Sequence, residues 1–237
     1  MAQSRLVNAG EQVRFLSKYF LNPEKGQELV HGIDILAAHL EDRAFIEEIA
    51  IQKKEKEFFT LEDAVEAIGQ SFPNERVPIL EGFFLMLCFD TWVGVQDRHF
   101  QNWGVVRDIS GRNKSYFSPI YDSARGLFWN EKESRIMQWV SQRQFEQQIQ
   151  NQINKSAPQM TLRGTTGINH FELAQVLLSD SIIPFKSVAR QIFTAERQQL
   201  VKKMIVKEFS SLLSKHRIAL ILRCLEVRHT VFSKLLT

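Results

Sequence analysis

Apolar positions along this chain recur mostly at three- and four-residue intervals, the period of a helix that buries one face. Residues 33–40 carry that spacing, and 44–56 form a charged, amphipathic stretch. Thr60-Leu-Glu-Asp63 resembles a capping box, with Asp where Glu is usual, and predicts a helix start at Leu61 running to Ile68. From Val77 to Val93 the chain is apolar almost all round, which predicts a helix at the centre of the core.

After Asn102 the pattern changes. Residues 103–107 and 114–121 read as two short strands joined across Ser110-Gly111-Arg112-Asn113. Such a hairpin would return Asp122 to the neighbourhood of Asn102. From Asn130 onward helical spacing resumes. Residues 142–152 are glutamine-rich but place Phe145 and Ile149 at helical spacing. A polar loop, 157–169, precedes a helix over 170–178, and two long amphipathic helices follow, over 195–213 and 217–235. The expectation is a mainly α fold with one small β-hairpin. It forms one domain over 1–237: a hinge-like segment (1–30), a helical part (31–95), the loop and hairpin (96–126) and a second helical part (127–237).

Composition narrows the class. With 44% hydrophobic and 24% charged residues, the 237-residue chain reads as an ordinary globular protein. Its most apolar stretch, Phe83 to Phe89, is too short to span a membrane, and the N-terminus does not read as a secretory signal. Cys88 and Cys224 each have apolar neighbours, as reduced buried thiols in a cytoplasmic protein would. The net charge of +3 hides an asymmetry: residues 181–237 hold eleven Lys/Arg against three Glu, a net of +8, so the first 180 carry −5. The basic residues sit at intervals suited to helix exteriors. No aromatic interleaving accompanies them, so specific nucleic-acid binding is not expected.

The residues with the clearest chemistry are Asp97, Asn102 and Asp122. Asp97 and Asn102 lie five apart on a polar loop after the apolar helix, and Asp122 ends the strand-like run Ser-Pro-Ile-Tyr121-Asp122. Phosphoryl transfer from ATP needs such a set: a carboxylate for the acceptor hydroxyl, and an amide oxygen and second carboxylate for Mg²⁺. The histidines show no metal-ligand spacing, and no hydrolase elbow is present.

Gly94-Val-Gln-Asp97-Arg-His99-Phe-Gln-Asn102 with Pro119-Ile-Tyr-Asp122-Ser-Ala-Arg-Gly126 resembles the C-terminal lobe of HipA-like serine/threonine kinases. The likeness extends back to Phe15-Leu-Ser-Lys-Tyr-Phe and Glu28-Leu-Val-His-Gly32, and forward to His170-Phe-Glu-Leu and the closing helix. It implies Asp97 as catalytic base, Asn102 and Asp122 as Mg²⁺ ligands, and His99 and Tyr121 beside the nucleotide phosphates or metal. It gives Arg98 no chemistry. ATP and Mg²⁺ would be the cofactors, a protein hydroxyl the acceptor, and the toxin half of a bacterial toxin–antitoxin pair a biological role. The Asp-Arg-His-x-x-Asn run also resembles phosphoinositide-type lipid kinases, and a non-catalytic, partner-binding half is a third reading. The eleven glycines form no Gly-x-Gly and no Gly-x-x-x-x-Gly-Lys. Lys53 lies in a Glu/Lys-rich helical stretch unlike a kinase strand lysine. The expectation is therefore a C-lobe without its N-lobe, inactive until a phosphate-covering loop is supplied by an N-lobe polypeptide. An antitoxin is the other partner the resemblance implies.

Overall fold

A computed structural model describes all residues except 1–2, 11, 53, 55–57, 166 and 180–183. Two small antiparallel sheets accompany ten helices among the described residues. β1 (Ser4–Ala9) pairs with β2 (Gln12–Ser17), in register from Ser4 opposite Ser17 to Ala9 opposite Gln12. The second sheet has the order β3-β4-β5, with β3 (Gln27–His31), β4 (Gly104–Asp108) and β5 (Tyr116–Phe117).

This corrects the sequence reading in two places. Residues 1–30, read as a hinge-like segment, hold two strands and most of a third. The expected hairpin is a three-stranded sheet, and its 114–121 strand shrinks to two residues. β3 escaped notice because its partner is far away: Glu28 lies opposite Arg107, with no tight turn between them to announce the pairing.

The helices are α1 (Gly32–Leu40), α2 (Arg43–Gln52), α3 (Leu61–Ser71), α4 (Arg76–Val93), α5 (Glu133–Ser141), α6 (Phe145–Lys155), α7 (His170–Ser179), α8 (Phe185–Ile192), α9 (Ala195–Phe209) and α10 (Lys215–Leu235). The capping box holds: Asp63 N–H donates to Thr60 Oγ1 and Thr60 N–H to Asp63 Oδ2, each at 3.1 Å. The charged stretch expected to reach residue 56 is helical to Gln52; most of its remainder lies outside the described residues. α8 was not anticipated, although Phe185, Val188, Ala189 and Ile192 carry its period. It packs on α4 through Phe185 against Phe84, ring centroids 5.8 Å apart.

α4 is the axis of the core, as its all-round apolarity predicts. Phe83, Phe84, Met86 and Cys88 have no exposed surface. The second sheet lies directly on it: a Cβ on Gly82 would sit 2.4 Å from Phe117 Cβ, so only glycine admits that approach. α10 crosses the other side. Its Arg228 is wholly buried and donates from Nε to Thr91 O at 2.8 Å, and from Nη1 to Gln152 Oε1 and Ser156 Oγ at 2.9 Å each. Among the described residues Nη2 has no hydrogen-bond partner, and burial pushes this guanidinium down to about 10, still charged at neutral pH. A cation at the last carbonyls of α4 complements that helix end.

Candidate active site

α4 stops at Gly94, whose left-handed conformation (φ 70°) lets its N–H return to Asp90 O at 2.7 Å. The chain then turns into the loop that carries Asp97, His99 and Asn102. Asn102 N–H donates to His99 O at 2.8 Å, and Asn102 Nδ2 to Asp97 O at 2.7 Å. With its nitrogen so held, the amide oxygen of Asn102 is fixed on the other side, and no described residue donates to it. The far end of the loop is pinned by α1. The N–H groups of Gly32 and Ile33, orphans of the first turn, donate to Trp103 O and Phe100 O at 3.0 Å each.

Arg98 organises the site. Its side chain is 1% exposed, and Nε and Nη2 donate to the two oxygens of buried Asp90, both at 2.9 Å. Nη1 donates to Asn102 O at 2.9 Å and to Tyr121 O at 2.6 Å, and Nη2 to Ser123 Oγ at 2.6 Å. One nitrogen thus holds the carbonyls of Asn102 and Tyr121 side by side, and the residue after Tyr121 is Asp122. Burial pushes the Asp90 carboxyl up from its ordinary value, and the Arg98 fork opposes that push. Sequence reasoning gave Arg98 no chemistry and missed Asp90; the one signal available was two charged residues flanking a buried-looking segment.

Asp122 is exposed, and its φ of 44° places it in the left-handed region, which costs a non-glycine residue free energy. Its carboxylate has no hydrogen bond or ion pair among the described residues. Tyr121 faces inward. Its hydroxyl donates to Gln101 O at 2.9 Å and lies 3.1 Å from His31 Nδ1, and its ring packs on Phe20. Burial pushes that hydroxyl well up from its ordinary value; Arg98 opposes the shift and Asp122 adds to it. His99 is half-buried on the loop, where its Nδ1 accepts from Gln101 N–H at 3.3 Å. Asp97 is partly exposed and pairs with Arg125, which lies 3.2 Å from Oδ2 and 3.3 Å from Oδ1. Two backbone bonds, Gln96 N to Arg125 O and Leu127 N to Val93 O, both 2.9 Å, fasten the Asp122 segment along the start of the loop.

Asp97, Asn102 and Asp122 therefore sit on two adjoining loops tied by Arg98. Among the described residues no group of three His, Cys, Asp or Glu side chains could enclose a metal. A Mg²⁺ ion needs no such cage, since it takes one or two protein oxygens and completes its shell with water and phosphate. The free amide oxygen of Asn102 and the unpaired carboxylate of Asp122 fit that demand.

The HipA-like C-terminal domain model matches residues 1–206, so the chain belongs to that family. Among solved structures it is similar to the Helicobacter pylori proinflammatory kinase CtkA, with a TM-score of 0.77 and 16% identity over 99% of this chain and 80% of that one. No curated protein matches the chain significantly. Among the described residues no helix is long and apolar enough to cross a membrane.

Proposed function

We propose that this chain transfers the γ-phosphoryl group of ATP to a protein Ser or Thr hydroxyl. Asp97 accepts the hydroxyl proton, and Asn102 and Asp122 are the residues that would hold Mg²⁺. The observation that carries this reading is the Arg98 clamp, which joins the Asn102 and Tyr121 carbonyls, with the amide oxygen and the Asp122 carboxylate left without hydrogen-bond partners among the described residues. Mg²⁺, when bound, neutralises charge on the phosphates. Asp97 orients the acceptor, and the Arg125 guanidinium moves aside from Asp97 as the hydroxyl arrives. His99 and Tyr121 shape the rim, Tyr121 through its packing on His31 and Phe20.

Residues 1–237 contain no Gly-x-Gly and no Gly-x-x-x-x-Gly-Lys run, so the reading is tested with a glycine-rich phosphate cover added as a separate polypeptide. Calorimetric titration of Mg²⁺-ATP, with that element supplied, should show binding that Asp122→Ala abolishes and Asp97→Asn leaves near normal. Asp97→Asn should instead lower turnover by roughly 10²-fold or more. Equal Mg²⁺-ATP affinity in wild type and Asp122→Ala would reject the metal assignment, and full turnover by Asp97→Asn would reject the base.

A further inference from the structure

A cavity of about 620 Å³ opens between α4, α9 and α10. Phe89 and Trp92 line it from α4, Leu200 and Met204 from α9, and Ile221 from α10. Its volume lies within the roughly 300–1,000 Å³ of small-molecule sites. Every residue lining it is apolar except Arg197. Leu200 and Met204 are 57% and 43% exposed, so this apolar face of α9 stands open to solvent.

Several cations near the cavity are already paired. Lys202 pairs with Glu226, Arg217 with Glu133, and Arg223 with Glu146 and Glu226. Arg197 has no ion pair among the described residues. The cavity thus offers one long apolar lining and one uncommitted cation at the first turn of α9. From Arg197 to Phe209 that wall measures about 18 Å at 1.5 Å per residue.

We propose that this cavity binds a long-chain fatty carboxylate, its acyl chain laid along α9 and its headgroup paired with Arg197. A docked helix from a protein partner would carry polar and charged groups along its length, and only one cation here faces the groove. A monoanionic amphipath matches both the lining and the charge count. The occupant would also touch Ile120 and Leu127, which line the cavity and flank the Tyr121–Gly126 segment. The acyl site stands independently of the phosphotransfer reading.

Titration calorimetry with tetradecanoate, below its micelle concentration, on the 237-residue protein is expected to show one saturable site. Tetradecanoate methyl ester should bind about two- to fivefold more weakly, the value of an exposed charge pair. Arg197→Ala should weaken the acid by the same factor and leave the ester unchanged. Leu200→Asp, at an exposed position that should not disturb the fold, should abolish binding of both. Absence of saturable binding, equal affinity for acid and ester in the wild type, or undiminished binding to Leu200→Asp would each overturn the proposal. So would tight capture of an acidic amphipathic peptide that tetradecanoate fails to displace.

Discussion

Arg98 and Asp90 show how one buried ion pair sets the geometry of two loops. Removing one partner leaves the other charged and unpaired in the core, so Arg98→Met should cost about 3–5 kcal/mol of stability. Pairing it with Asp90→Leu should recover part of that loss but not all, because the carbonyls of Asn102 and Tyr121 lose their donor in either background. Urea unfolding of the two single variants and the double variant measures the coupling; strictly additive losses would mean that the pair contributes nothing as a pair. Asp122 makes the opposite point. Its backbone at φ 44° is strained, and among the described residues its carboxylate has no hydrogen bond or ion pair to offset the strain. Asp122→Gly should therefore raise stability by up to about 1 kcal/mol while removing the proposed metal ligand. An unchanged or lower urea midpoint would show that the backbone there is at ease.

Among the elements, the β4–β5 connection is one whose stability should respond to acid. Asp108 accepts from the Ser110 hydroxyl at 2.6 Å and the Ser110 N–H at 2.8 Å, and from Asn113 N–H and Nδ2 at 3.1 and 2.7 Å. The Ser110 bonds first, then those of Asn113, hold its carboxyl at about 2. A carboxyl depressed on folding stabilises the native state above its unfolded value, about 3.9, and loses that contribution as pH falls towards 2. The wild type should therefore lose more stability than Asp108→Asn between about pH 4 and pH 2. Parallel melting curves for the two proteins across that window would contradict this. The turn itself was legible in Ser-Gly-Arg-Asn, whereas its Asp108 anchor was not, since an Asp at a strand end looks the same whether or not four donors converge on it.

Across the whole molecule, the sequence announced what depends on local period. The all-round apolar α4, the α3 capping box and the two closing helices lie where the pattern places them, apart from a few terminal residues. The candidate site was legible as residue types at a spacing: the structure brings Asn102 and Asp122 onto adjoining loops. What stayed hidden was long-range. β3 needed a partner some eighty residues away, and the Arg98 hub needed both loops to be folded before its role existed. Charge behaves similarly. The +8 of residues 181–237 looks like a basic surface in the sequence, yet Lys202, Arg217 and Arg223 are paired with carboxylates and Arg228 is buried. Binding to duplex DNA should therefore be weak and lost with modest salt; a sequence-dependent band shift that persists at physiological salt would refute this.

The bond from Arg228 to the end of α4 spans 137 residues of sequence. During synthesis, the loop over residues 95–102 leaves the ribosome long before the helix that anchors it. At roughly 5–20 residues per second, that delay lasts several seconds or more. Over that interval α4 has no cation at its final carbonyls, and the groups later buried against α10 face water or a chaperone. The nascent chain thus passes through a stage in which every residue of the site exists but its scaffold does not. The geometry of the loop that follows α4 thus waits on α10.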